Sequence, residues 1–311
     1  MQRWFYVGLG TLAGYTLFGS FAALGFAAVA LNLFSPLPAA FVGMRCGTKA
    51  GVATVVLTTL LVFMTSDLSP TMMYLVQFGI PGASLPWLLN RGIAWDKATA
   101  FVLCMMVAIS LCGLFVVSVV AGQSPLLIAG ELIGNEISQT TVVMQQMFAE
   151  ADLPADQKKD VGLAIEGMAT FLQNAYPGIA ITVSGLMTVG LVFLLSVLAR
   201  GRYTVPGRAF PDWKVPEQLV WILIVSGFLV VLSGGLPGTL ALNLLVILLP
   251  IYFLQGLAVI DCFFRRKAFS PILRAVGYVL VTLVNPLPMM VTGLGIFDLW
   301  ADFRKPKGPK S

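Results

Sequence analysis

The chain has 311 residues, 58% of them hydrophobic and 11% charged, with a mean hydropathy of +0.90. Soluble domains average about 25% charge, so a soluble globular fold is excluded and a polytopic membrane protein is implied. The net charge of +5 averages an acidic stretch at 123–176, with seven acids and two bases, against a remainder whose cations cluster at the ends of apolar runs. That is a positive-inside topology pattern and not the footprint of a nucleic-acid binder.

Arg3 precedes an apolar stretch from Trp4 to Met44. Ala28-Val29-Ala30 mimics a signal-peptidase site, but the apolar region before it is far longer than the roughly 7–15 residues of a signal core, so the stretch reads as an uncleaved anchor. Arg3 on one side and Arg45 with Lys49 on the other call for two crossings, the second short and following Ser35-Pro36-Leu37-Pro38. Gly10 and Gly14, then Gly19, Ala23 and Ala27, form ladders of small residues that suit either packing inside the bundle or docking of a partner helix. Residues 50–66 form the next span, and Asp67-Leu68-Ser69-Pro70 an outer turn. Residues 71–90 return, with Gly79-Ile80-Pro81-Gly82 and Pro86 predicting a kinked or unwound segment. Arg91 and Lys97 mark the inner end, and 98–121 cross outward.

Ser124-Pro125 then reads as a helix start. Apolar residues recur at helical spacing on both sides of a break at Leu153-Pro154, predicting an amphipathic helical hairpin on the non-cytoplasmic side, either a substrate lid or a structural cap. Residues 176–199 cross inward to a basic, proline-rich loop, RGRYTVPGRAFPDWKVPEQ. Residues 217–233 cross outward, Gly234-Gly235-Leu236-Pro237-Gly238 turns, and 243–267 return. Residues 270–301, broken at Asn285-Pro286-Leu287-Pro288, read as a tight hairpin that leaves both termini cytoplasmic. The expected fold class is all-α: a polytopic transmembrane bundle of about eight to ten spans with one extramembrane amphipathic hairpin. Its parts are 1–122 (N-terminal transmembrane helices), 123–176 (acidic extracytoplasmic insertion), 177–303 (C-terminal transmembrane helices) and 304–311 (basic cytoplasmic tail).

Catalytic patterns are missing from the sequence. It contains no histidine, no GxSxG, no HExxH and no phosphate-binding loop, so neither an enzyme nor a cofactor or metal site is expected, and energy from ATP would have to come from another chain. The four cysteines, at 46, 104, 112 and 262, lack CxxC spacing and read as small buried hydrophobes. Chemistry at membrane depth is left to a short polar set. Asp261 and Asp298 stand beside Arg265, Arg266 and Arg304 and read as surface ion pairs, while Asn243 and Asn285, near outer ends, read as helix caps. Gln255, one turn after Tyr252, is the deepest. It lies about 120° round the helix from Asn243, so the two do not share a face. The candidate binding residues are therefore Gln255, Asn243, Asn285, Arg45 and Tyr252.

Several segments converge on one family: Pro36-Leu37-Pro38 with Met44-Arg45-Cys46-Gly47-Thr48-Lys49; Phe210-Pro211-Asp212-Trp213-Lys214-Val215-Pro216-Glu217; the run from Asn243-Leu244-Leu245 to Gln255-Gly256-Leu257-Ala258-Val259; and Gly293-Leu294-Gly295-Ile296-Phe297-Asp298 to Asp302-Phe303-Arg304-Lys305. Together they resemble the YybS-like family of bacterial inner-membrane proteins. More distantly the chain is similar to the substrate-binding S components of energy-coupling-factor transporters, whose superfamily takes in the scaffold protein MreD. The resemblance implies a non-enzymatic bundle that binds a small solute or serves as a scaffold in envelope assembly, embedded in the bacterial inner membrane. It implies partner subunits docking on Gly19, Ala23 and Ala27 or on the 123–176 hairpin. The insertion departs from the minimal six-helix S component.

Overall fold

The computed structural model describes residues 2–24, 29–150 and 154–305. Among them the regular structure is helical throughout: α1 (Gln2–Leu24), α2 (Val29–Asn32), α3 (Leu37–Cys46), α4 (Thr48–Thr65), α5 (Leu68–Tyr74), a π-helical turn at Leu75–Gly79, α6 (Ile80–Asn90), α7 (Trp95–Ala121), α8 (Pro125–Glu150), α9 (Ala155–Ala199), a 3-10 turn at Phe210–Asp212, α10 (Gln218–Leu232), α11 (Gly235–Arg266), α12 (Pro271–Leu283) and α13 (Leu287–Ala301).

The distribution of side chains is that of a membrane protein. Thr54, Thr58, Thr188, Gln255 and Asp298 are wholly buried, whereas Phe115, Val120, Trp221, Val231 and Leu232 face outward. In water this arrangement would be reversed; in hydrocarbon the polar groups must find partners inside. By length and hydropathy, Thr48–Thr65, Leu68–Asn90, Trp95–Ala121, Gln157–Ala199 and Gly235–Arg266 each suffice to cross a bilayer. Leu37–Cys46 and Gln218–Leu232 are shorter apolar helices, and α12 with α13 form a pair bent by 100°. The protein is an all-α, multi-pass membrane bundle.

Four local expectations change. The glycine–proline cluster around Pro81 does not unwind the chain: the wider π turn immediately before it absorbs the missing N–H and the crossing continues to Asn90. Residues 176–199 do not begin a new helix, because α9 runs unbroken through Pro177 for 45 residues. At about 1.5 Å per residue it is roughly twice as long as the hydrocarbon core is thick, so its first half projects beyond the membrane. The glycine-rich segment after Ser233 is largely helix, since Pro237 falls in the first turn of α11, where an N–H has no partner to lose. Asn285-Pro286 does break the last stretch, but the bend of 100° falls well short of a tight hairpin. The cysteines also differ from expectation: Cys104 and Cys112 are exposed on α7, and Cys46 and Cys262 are half-buried. A thiol is apolar enough to face lipid.

The chain divides into two compact units, Met1–Pro125 with Val183–Gly207, and Leu126–Thr182 with Arg208–Ser311. The first is a bundle of α1, α3, α4, the α5–α6 crossing, α7 and the last part of α9. Gly10 faces Val42 and Thr54, and Gly14 faces Thr58 and Tyr74, so this ladder packs inside the unit. Gly43 lies against both Gly51 and Pro86, drawing α3, α4 and α6 together. The second unit has a core of Val215, Val220, Leu223, Leu248 and Tyr252. There α11 and α13 touch backbone to backbone: a methyl group on Gly256 would overlap the carbonyl of Val291, and one on Gly295 the carbonyl of Tyr252.

Gly295→Ala is therefore expected to cost at least about 1–3 kcal/mol by overpacking. Gly113→Ala, on an open face of α7, should leave thermal unfolding in detergent unchanged. Equal melting temperatures for the two variants would contradict the contact.

Candidate functional site

Gln255 sits at the centre of the second unit, wholly buried. Its Oε1 accepts the backbone N–H of Val215 at 2.9 Å, and its Nε2 makes a long contact of 3.4 Å to Asp298 Oδ2. The same carboxylate oxygen lies 2.9 Å from Arg304 Nη2, a charge contact outside hydrogen-bond geometry, and Asp298 Oδ1 accepts the N–H of Phe303 at 3.1 Å. Arg304 in turn donates to the carbonyls of Pro211 and Trp213. One amide, one carboxylate and one guanidinium thus lock the 210–215 loop and the end of α13 onto α11. The Asp298–Arg304 pair is buried, with side chains 0% and 7% exposed, so the surface reading of Asp298 is wrong: the loop folds over it. At the rim, Asp302 binds Lys214 at 2.8 Å and Lys305 at 3.0 Å. These two ammonium groups, Lys214 first, hold the exposed Asp302 carboxyl well below the usual range, at about 2.

Asn243 is not a cap of its own helix. Its Oδ1 accepts from Gly178 N at 2.6 Å, and its Nδ2 donates to Asn174 O at 2.7 Å and Thr239 O at 2.8 Å. Asn174 O and Gly178 N are the pair an unbroken helix joins directly; here an amide from α11 bridges them on either side of Pro177. Gly178 is required, because a Cβ there would stand 2.8 Å from the carbonyl oxygen of Asn243. One turn along, Thr182 donates to Val246 O at 2.9 Å. This is how α9 tolerates its proline.

The remaining candidates scatter. The Arg45 guanidinium, exposed at the end of α3, lies 4.2 Å above the Tyr6 ring. Asn285 is exposed in the turn between α12 and α13. Tyr252 is buried in the second unit's core, and its hydroxyl has no partner among the described residues. Asp261, also read as a surface pair, is 4% exposed; it binds Arg265 at 3.0 Å and meets the Tyr278 hydroxyl. Gly19 is exposed with open space over it. Ala27 and the Ala23 side chain, the rest of that docking ladder, lie outside the described residues, as do Leu153 and 306–311. Gln255 and Asp298 come together; Asn243 joins a different set of neighbours.

A second polar group was not singled out in the sequence. In the first unit, Thr54 and Thr58 follow each other one turn apart on α4, both fully buried. The Tyr74 hydroxyl bonds Thr58, and Thr58 Oγ1 lies 3.5 Å from Thr11 O. Gln77 Nε2 donates to Ser184 Oγ at 3.1 Å, from within the π turn. The Thr11 hydroxyl is buried without a partner among the described residues. Hydroxyls and one amide with no fixed charge can hold a neutral polar molecule. The available signals were the i, i+4 threonines and a glutamine beside a glycine–proline cluster. Among the described residues, no three His, Cys, Asp or Glu side chains converge in a way that could hold a metal.

Gln255→Leu should destabilise the second unit by about 1–3 kcal/mol, the cost of an orphaned buried N–H and a carboxylate that loses a donor. Arg304→Gln should cost about 3–5 kcal/mol, because it strands a buried charge, and adding Asp298→Asn should recover part of that loss. Denaturant titration in micelles measures all three; strictly additive losses would rule out the coupling. Asp302, with its folded pKa depressed, contributes above its ordinary value of 3.8, and the contribution is lost as pH falls through about 2. The melting difference between wild type and Asp302→Asn should accordingly be present at neutral pH and vanish in strong acid.

No curated protein and no solved structure matches the chain. A family model described as "Predicted membrane protein (DUF2232)" matches residues 15–299. The chain belongs to that family.

Proposed function

We propose that this family member is a non-enzymatic membrane subunit of transport type, binding a small, uncharged polar solute in its first unit. The observation that carries the reading is the polar set of the buried Thr11, Thr58, Tyr74 and Ser184 with the half-buried Gln77 of a π turn, a backbone irregularity frequent at functional sites. Two features support it. The first unit joins the candidate spans Thr48–Thr65, Leu68–Asn90 and Trp95–Ala121 to α1, α3 and the end of α9, a helical bundle of the kind the S-component resemblance implies. Its exposed cations Arg3, Arg45, Lys49, Arg91, Lys97, Arg200 and Arg202 all stand at helix ends that the positive-inside rule assigns to the cytoplasm, which supports a cytoplasmic N-terminus. The open face at Gly19 suits a coupling helix from a partner that supplies energy.

A scaffold role, as in MreD, is the second reading, and α8 favours it. Leu126, Leu127, Leu132 and Met147 are exposed on a helix that also carries Glu131 and several glutamines, too polar for lipid and too apolar for idle solvent exposure.

Mass spectrometry of small molecules retained after gentle purification separates the two. Wild type should carry a neutral solute, and Gln77→Leu and the nearly isosteric Thr58→Val should lower its occupancy by about tenfold, the worth of one to two hydrogen bonds. Identical ligand-free spectra for all three, together with a protein partner lost on trimming α8, would move the assignment to the scaffold.

A further inference from the structure

The second unit carries a surface groove that takes no part in the solute reading and meets the Gln255 lock at Phe303. It has a volume of about 400 Å³ and is lined by Val259, Ile260, Phe263, Leu294 and Phe303, with Arg266 at its edge. That size lies within the ~300–1,000 Å³ range of small-molecule sites. The lining comes from the last turns of α11, from α13 and from the turn after it. Those last turns end in Arg265, Arg266 and Lys267, the cluster that marks a membrane boundary.

The charges around the groove are unequally matched. Each nearby acid already has a cationic partner: Asp261 holds Arg265, Asp298 holds Arg304, and Asp302 holds Lys214 and Lys305. Arg266, by contrast, has no carboxylate partner among the described residues and donates to the backbone carbonyl of Lys305, at 3.5 Å. Its guanidinium has spare donors at the mouth of a hydrocarbon-lined trough. An apolar trough selects an acyl chain, and a guanidinium fork selects a phosphate oxygen pair. Both lie at the depth where a bilayer places the junction of chain and headgroup. We propose that this groove is a binding site for an anionic phospholipid of the surrounding bilayer, its phosphate on Arg266 and one acyl chain along Phe263, Leu294 and Phe303.

The test is native mass spectrometry of the intact protein, released from micelles containing equal amounts of phosphatidylglycerol and phosphatidylethanolamine. Wild type should retain phosphatidylglycerol preferentially. Arg266→Gln should weaken that retention by about tenfold, as expected for a lost charge-assisted hydrogen bond, and Leu294→Trp should do so by filling the trough. Lys49→Gln, which removes a cation in the other unit, should change nothing. Arg266→Gln lies at the exposed end of a helix and decides the matter even if Leu294→Trp fails to fold. The proposal is overturned if Arg266→Gln retains as much phosphatidylglycerol as wild type. It is equally overturned if Lys49→Gln loses as much as Arg266→Gln, or if wild type holds both lipids alike.

Discussion

The carboxylate of Asp298 sets the terms for the second unit. It is wholly buried, and an isolated charge in such surroundings is costly enough that the structure must bring it partners or lose it to protonation. The partners come from three places: an amide eleven residues from the end of α11, a guanidinium beyond the end of α13, and a backbone N–H beside it. Satisfying that one group fixes the direction in which the chain leaves α13. It also pins the 210–215 loop, whose carbonyls accept from Arg304 Nη1. The close approach at Gly256 and Gly295 is what brings the contributing side chains within reach. Small residues and a buried charge are thus two halves of one arrangement, the first allowing helices near enough for the second to be satisfied.

Much of this was legible in the amino-acid sequence, at a particular level. Membrane class, helical content and the breaks at Pro125 and Asn285-Pro286 all follow from composition and local chemistry, which act over a few residues. What escaped are arrangements settled by distant residues. Pro177 looked like the start of a new span because its remedy, the Asn243 amide, lies 65 residues away. Asp298 looked like a surface group because it stands near cations at a helix end; that a proline-rich loop covers it depends on contacts across about ninety residues. The threonines of α4 were silent because each returns its hydroxyl to its own helix, Thr54 to Ala50 O at 3.0 Å and Thr58 to Thr54 O at 2.8 Å. In sequence they are indistinguishable from ordinary helical threonines.

The two units also divide polar chemistry between them in a consistent way. The second closes its buried fixed charges into pairs, which serve structure, and leaves Arg266 with a backbone carbonyl for a partner among the described residues. The first, among the described residues, buries no charged side chain and uses hydroxyls and neutral amides. Neutral groups can trade one partner for another at small cost, whereas a buried ion pair resists any rearrangement. On those grounds the first unit is the better place for reversible binding and the second the better place for rigidity.

The amide of Asn243 has a consequence for how this sequence can change over time. Its hydrogen bonds to Gly178 and Asn174 have value only while Pro177 leaves α9 short of a helical hydrogen bond, and its side chain fits only while position 178 is glycine. Restoring an ordinary residue at 177 would leave the amide competing with a repaired helix, while altering Asn243 first would strand both backbone groups. The effect of each substitution therefore depends on which came before, an epistasis among three positions. Mutational routes through this point should be few, and they should pass through intermediates less stable than either end.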